Sequence, residues 1–274
     1  SVRATDEPLL AAPLDLRVVC SAKALAIDRG EGLGQIQNRE DVAAWSARTH
    51  TAEGHTLQVD GRLEYDGLAR FDLTLTPGEA LDVDRIELRV PYRPEVVRLA
   101  HLGWWWWFAQ VIHNNDGKWS AHPICWSGPR KRERRADVIF DAVDLYKVHF
   151  PPAARYPFAP YLHVGDFHRG LSWFATNDRN WIHGDAPSME FVARGDETFL
   201  RLNLVGRSSR LKQPRTWRFY LMANPFKPLP KHWRTWVIGD YRKSNEVSKR
   251  TKHQFWWHWG EYSRNFYPYP GGVM

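Results

Sequence analysis

A chain of 274 residues with 43% hydrophobic and 25% charged side chains has an ordinary globular composition, long enough for one large or two small domains. Its formal net charge of +7 allows weak attraction to polyanions. The basic residues are spread, however, apart from one dense run at 130–135 (R-K-R-E-R-R). No RNA-binding aromatic signature, helix-turn-helix pattern or zinc-finger spacing accompanies it, so a nucleic-acid partner is disfavoured, and no apolar run approaches the roughly twenty residues of a membrane helix.

In chain order, residues 14–19 read as a first strand. Residues 28–54 hold few large apolar side chains and several Gly, Asn, Asp and Glu, and are expected to be mostly loop with a short helix across 41–47. From residue 55 the pattern changes. Residues 55–65 and 68–75 alternate apolar and polar side chains about an Asp66-Gly67 turn, and 83–90 alternate again after the Thr76-Pro77-Gly78 break. If 104–107, four consecutive tryptophans, form a strand, Trp104 and Trp106 face one side while Trp105 and Trp107 face the other. A short strand follows at 138–140. Two apolar runs at 162–164 and 171–175 then flank Gly165-Asp166-Phe167-His168-Arg169-Gly170, which reads as a β-hairpin. Strands are expected at 188–193, 198–205 and 216–223, the first two turning about Gly195.

Alternation with one face apolar and the other polar is antiparallel chemistry, and no long amphipathic helix interrupts it. The expected fold is all-β: a large antiparallel β-sandwich with long loops over 1–230, followed by a mostly irregular linker at 231–274 with a helical stretch near 241–252.

Fifteen tryptophans, with 10 Tyr and 13 Phe, exceed what a core of this size needs. About two-thirds of the tryptophans belong in the core and the remainder at surfaces, where flat aromatic faces stack on sugars or partner proteins. Candidate carbohydrate contacts are Trp104, Trp106, Trp119, His168, Arg169, Trp173 and Trp181. The spacing His163-x-x-Asp166-x-His168 is the best local metal candidate, but a strand sends the two histidines to opposite sides, so a structural hairpin is the stronger reading and neither metal nor cofactor is expected. Paired carboxylates for glycoside hydrolysis could be drawn from Asp166, Asp178, Asp185, Glu190 or Glu261, without spacing that selects a pair. No catalytic residue is therefore assigned. Cys20 and Cys125 do not by themselves establish a disulfide.

Tyr65-Asp66-Gly67 followed by the run at 70–75, the block at 165–181, and Pro225-Phe226-Lys227-Pro228 with Trp233-Arg234 together resemble the N-terminal β-sandwich domain of glycoside hydrolase family 123-like proteins, over residues 54–234. The resemblance implies a module that packs on a catalytic barrel carrying an adjacent Asp-Glu pair, for substrate-assisted cleavage of a β-linked N-acetylhexosamine. The adjacent pair Asp196-Glu197 sits beside the Gly195 turn, and that role is not carried onto it. The four-tryptophan tract and the basic run depart from the family pattern.

The expected function is thus a non-catalytic module supporting or rimming a carbohydrate site. Its partners are expected to be a glycan, with an N-acetylhexosamine-containing one as the implied class, and a catalytic barrel domain or partner chain. The alternatives are a stand-alone carbohydrate-binding or Trp-mediated assembly protein, and a complete glycosidase using a carboxylate on the sandwich. The opening at Ser1 fits removal of a signal peptide or excision from a longer chain, and the expected location is extracellular or periplasmic.

Overall fold

The computed structural model describes residues 3–4, 7–27, 33–102, 109–113, 119–123, 137–142, 158, 160–166, 168–184 and 186–225. All belong to the first of two compact units, Ser1–Lys227; the second, Pro228–Met274, lies outside the described residues. So do the tryptophan tract at 104–107, the basic run at 130–135, Cys125, Asp185 and Glu261.

Strand is the dominant element. A small ribbon pairs β1 (Arg3–Ala4) with β2 (Glu7–Pro8), and β3 (Asp15–Cys20) pairs with β4 (Lys23–Ala24). Next come β5 (Leu33–Asn38) and β6 (Val42–His50), where the sequence suggested loop and a short helix. Ala43, Ala44 and Ala47 within the expected helix at 41–47 do favour helix locally. That preference is overridden because β6 pairs along its whole length with β7 (Thr56–Glu64), and ladder hydrogen bonds outweigh a few tenths of a kcal/mol of propensity.

The turn from β7 into β8 (Leu68–Thr76) closes as the sequence required. Gly67 adopts φ +86°, its N–H donates to the Glu64 carbonyl at 2.9 Å, and Asp66 Oδ1 accepts from the Leu68 N–H at 3.0 Å. Beyond it lie β9 (Leu81–Val83), β10 (Arg85–Tyr92), a 3-10 turn at Pro94–Val96, β11 (Leu99–Leu102), β12 (Ala109–His113), β13 (Trp119–Pro123) and β14 (Val138–Asp141). The predicted hairpin forms from β15 (Tyr161–Gly165) and β16 (Gly170–Phe174). A second hairpin joins β17 (Met189–Arg194) to β18 (Glu197–Val205) through Gly195 and Asp196, followed by β19 (Ser209–Leu211) and β20 (Arg215–Asn224).

Two antiparallel sheets dominate: six strands ordered β14-β17-β18-β10-β3-β4, and ten ordered β13-β12-β11-β15-β16-β20-β8-β7-β6-β5. Their inner faces share one core. Ile86, Leu88, Val90, Tyr92, Phe191, Leu200 and Leu202 come from the smaller sheet, and Leu73, Leu162, Val164, Leu171, Trp173, Trp217 and Leu221 from the larger. The Tyr92 hydroxyl spans the gap to the Leu171 carbonyl at 3.4 Å. The chain is therefore an all-β sandwich, as its period-two patterning implied.

The middle of the smaller sheet's outer face is also buried, and it is charged. Register places Asp141, Glu190, Arg201, Arg89 and Asp15 in one row across five strands. Glu190 Oε2 accepts from Arg201 Nε at 2.9 Å and from Asn203 Nδ2 at 3.0 Å, while Arg89 pairs with Glu87 at 2.5 Å.

Candidate functional site

Strand alternation decides which aromatic side chains reach solvent. In β15 and β16, Leu162, Val164, Leu171 and Trp173 point into the core, so Tyr161, His163, Ser172 and Phe174 must point out. Cross-strand register then aligns Tyr161, Phe174, Tyr220, Arg70 and Arg62 as one row on the outer face of the ten-stranded sheet. The first four are half-buried and Arg62 is exposed. The rings of Phe174 and Tyr220 are parallel within 5° with centroids 5.0 Å apart. That distance and angle fit the offset stacking that aromatic pairs prefer. His101 meets Tyr161 edge-on at 5.9 Å, extending the aromatic end.

Polar groups border this row on both sides. On one side Asp72 accepts from Arg70 Nη2 at 2.9 Å and from Arg218 at 2.5 and 3.2 Å, whereas Arg62 pairs at 3.1 Å with Glu64, which stands on the other side of the row. Asp60 lies opposite Asp72 and takes two bonds from Gln58 at 3.0 and 3.1 Å. On the other side His163 Nδ1 sits 3.0 Å from Ser172 Oγ, which also accepts from Asn224 Nδ2 at 3.1 Å. With Asn224 donating, the serine hydrogen is left for Nδ1, so a neutral His163 satisfies all three groups. The imidazole lies over Gly170, where a Cβ would stand 2.5 Å from its Cε1.

Burial holds the His163 pKa below its ordinary value, and His101 adds charge repulsion. The unfolded chain takes up this proton near pH 6.5 while the folded chain resists it. The stability that neutral His163 contributes is therefore complete above about pH 6.5 and is lost progressively below it, towards the folded pKa. Urea unfolding at about pH 7.5 and about pH 5.5 should show a larger loss for the parent protein than for His163→Gln. Equal losses would clear His163 of the effect.

The nominated residues whose side chains are described lie elsewhere. Trp104 and Trp106 are outside the described residues, and Trp119 opens β13, the edge strand of the larger sheet. His168 is exposed in the β15–β16 turn, where its N–H donates to Asp166 Oδ1 at 2.7 Å. Arg169 is half-buried, donates from its backbone to the same oxygen at 2.9 Å, and makes an ion pair with Glu7. Trp173 has 0% exposure and offers no ring face to a ligand. Trp181 is likewise buried, with Phe158 edge-on at 5.3 Å and His183 beside it at 6.4 Å. Among the candidates with described side chains, only His168 and Arg169 stand together, at the hairpin tip.

The described carboxylates considered for catalysis are each held in a structural contact. Asp166 caps the hairpin, Asp178 pairs with His183 Nε2 at 2.9 Å, and Glu190 is buried against Arg201. No three His, Cys, Asp or Glu side chains among the described residues converge as metal ligands.

A cleft of about 800 Å³ opens elsewhere, between the N-terminal segment around Leu10–Leu14 and the inner face of the larger sheet at Trp45, Leu63, Ala69 and Phe71. Apart from Arg3 its lining side chains are apolar, which leaves few hydrogen-bond partners for a sugar.

Residues 1–123 match the family model of glycoside hydrolase 123, third domain. The glycoside hydrolase 123-like segment runs from β1 to β13 and contributes strands to both large sheets. It contains the Tyr65-Asp66-Gly67 turn and the 70–75 strand that carried the sequence resemblance, while the 165–181 block lies beyond it. The row is divided likewise, with Arg62, Arg70 and Asp72 inside the matched segment and Tyr161, Phe174 and Tyr220 after it. No curated protein matches the chain.

Proposed function

We propose that this chain is a non-catalytic, carbohydrate-binding β-sandwich module of a secreted glycoside hydrolase 123-like protein, and that glycan lies on the outer face of the ten-stranded sheet. One observation carries the reading: the offset Phe174–Tyr220 pair, in register with Tyr161 and bordered by Arg–Asp pairs. Half-buried aromatic rings on a sheet surface suit the apolar CH faces of sugar rings. Guanidinium and carboxylate groups beside them offer donors and acceptors for hydroxyls.

The test is calorimetric titration of a neutral glycan panel into the protein and its Phe174→Ala and Tyr220→Ala variants. Each truncation should weaken binding by about tenfold, or ~1.4 kcal/mol, with the fold retained by circular dichroism. Unchanged affinity in both variants would remove the site from this face.

A second reading, assembly with another chain, is favoured by a different observation. Ile36, Leu63 and Tyr65 are 62%, 41% and 72% exposed, and Leu63 also lines the apolar cleft. Dissociation of an oligomer by Leu63→Glu in light scattering would support it, and a monomer at high concentration would count against it.

A further inference from the structure

Resting on the reading just given, we infer that the ligand of this face is an extended, uncharged glycan chain that lies across the strands, rather than a terminal sugar or an anionic glycan. Length comes first. Tyr161, Phe174, Tyr220, Arg70 and Arg62 sit on five successive strands. Neighbouring strands are ~4.8 Å apart, so the row spans roughly 19 Å, enough for several sugar rings in line. Tyr161, Phe174, Tyr220 and Arg70 are half-buried and Arg62 is exposed, so some surface of every member is open along the row. A single terminal sugar would use one end of it.

Charge comes second. Three arginines stand on or beside the row, Arg62, Arg70 and Arg218, and three carboxylates accompany them, Asp60, Asp72 and Glu64. Asp72 bridges Arg70 and Arg218, and Glu64 takes Arg62, so the guanidiniums are already compensated. An anionic glycan would meet the three carboxylates as well as the arginines and gain little. Hydroxyl groups lose nothing, because a guanidinium retains N–H groups beyond those it gives to one carboxylate. The overall charge of +7 therefore does not describe this face.

The experiment is titration of the full chain with neutral β-linked series built on glucose, galactose, xylose or N-acetylglucosamine, from one to about six residues, with dextran sulfate as the anionic probe. At least one neutral series should gain about tenfold in affinity between two and four sugars. Raising the salt should change that affinity by less than about twofold. Arg62→Gln and Tyr161→Ala, at opposite ends of the row, should weaken binding of the longer members and leave the disaccharide unaffected. A monosaccharide bound as tightly as the longest member would overturn the extended mode while leaving a carbohydrate site in place. Binding confined to dextran sulfate and abolished by salt would overturn the uncharged class. Absence of binding to every probe would overturn the carbohydrate reading itself.

Discussion

Glu190→Ala should lower the unfolding free energy by about 3–5 kcal/mol, a large part of the ~5–15 kcal/mol expected for a domain. Glu190 lies almost fully out of water, and its Oε2 accepts from both Arg201 Nε and Asn203 Nδ2. Its removal leaves the Arg201 guanidinium buried without its counter-ion. The position is worse than for an isolated pair. Arg201 stands directly opposite Arg89 in the β10–β18 ladder, and Arg201 Nη2, although 2.8 Å from Oε2, has no aligned hydrogen-bond partner among the described residues. Without Glu190 two like charges face each other across the ladder, and Glu87 is paired with Arg89 rather than with Arg201. Replacing both partners by apolar side chains of similar size avoids this, so Glu190→Leu with Arg201→Met should recover most of the loss. Urea unfolding followed by tryptophan fluorescence separates the cases. A single variant as stable as the parent would show that the pair contributes nothing.

How much of this was legible in the sequence varies with the range of the interactions involved. The strict alternation of residues 56–64 and 68–76, and the Asp66-Gly67 turn between them, were readable because register and turn chemistry are local. The β5–β6 hairpin was not. Ala43, Ala44 and Ala47 favour helix locally, and only pairing with β7, beyond the loop at 51–55, turns them into strand. The charged row on the smaller sheet draws on β14, β17, β18, β10 and β3, and no spacing along the chain links Asp15 to Glu190. The outer aromatic row was half legible. Once the β15–β16 turn is placed, Tyr161 must face Phe174, and the aliphatic pattern Leu162, Val164, Leu171 shows which side is the core. Tyr220 joins them only through the β16–β20 pairing. Selection of candidates by residue type favoured tryptophan, whereas strand parity selects its neighbour.

Adjacent residues Trp173 and Phe174 test that distinction directly. Trp173→Ala should cost about 3–5 kcal/mol of stability, because a fully buried indole leaves a large cavity between the sheets. Trp173→Phe should cost less than the alanine change. It fills most of the volume and discards an indole N–H that has no hydrogen-bond partner among the described residues, unlike Trp217, whose Nε1 donates to the Asn180 carbonyl at 3.0 Å. Phe174 stands on the opposite face, half-buried and stacked on Tyr220, so the principal effect of Phe174→Ala should fall on glycan affinity. Measured on the same preparations, thermal stability and glycan titration should respond to different members of this pair of neighbours. A Trp173→Phe variant that keeps its stability but loses glycan binding would mean that the indole reaches the ligand, and the inward parity of β16 would be wrong. A Phe174→Ala variant that unfolds without a separable binding defect would return the outer row to packing. The alternation of one strand thus places the boundary between core and binding surface between residues 173 and 174, where either measurement can find it.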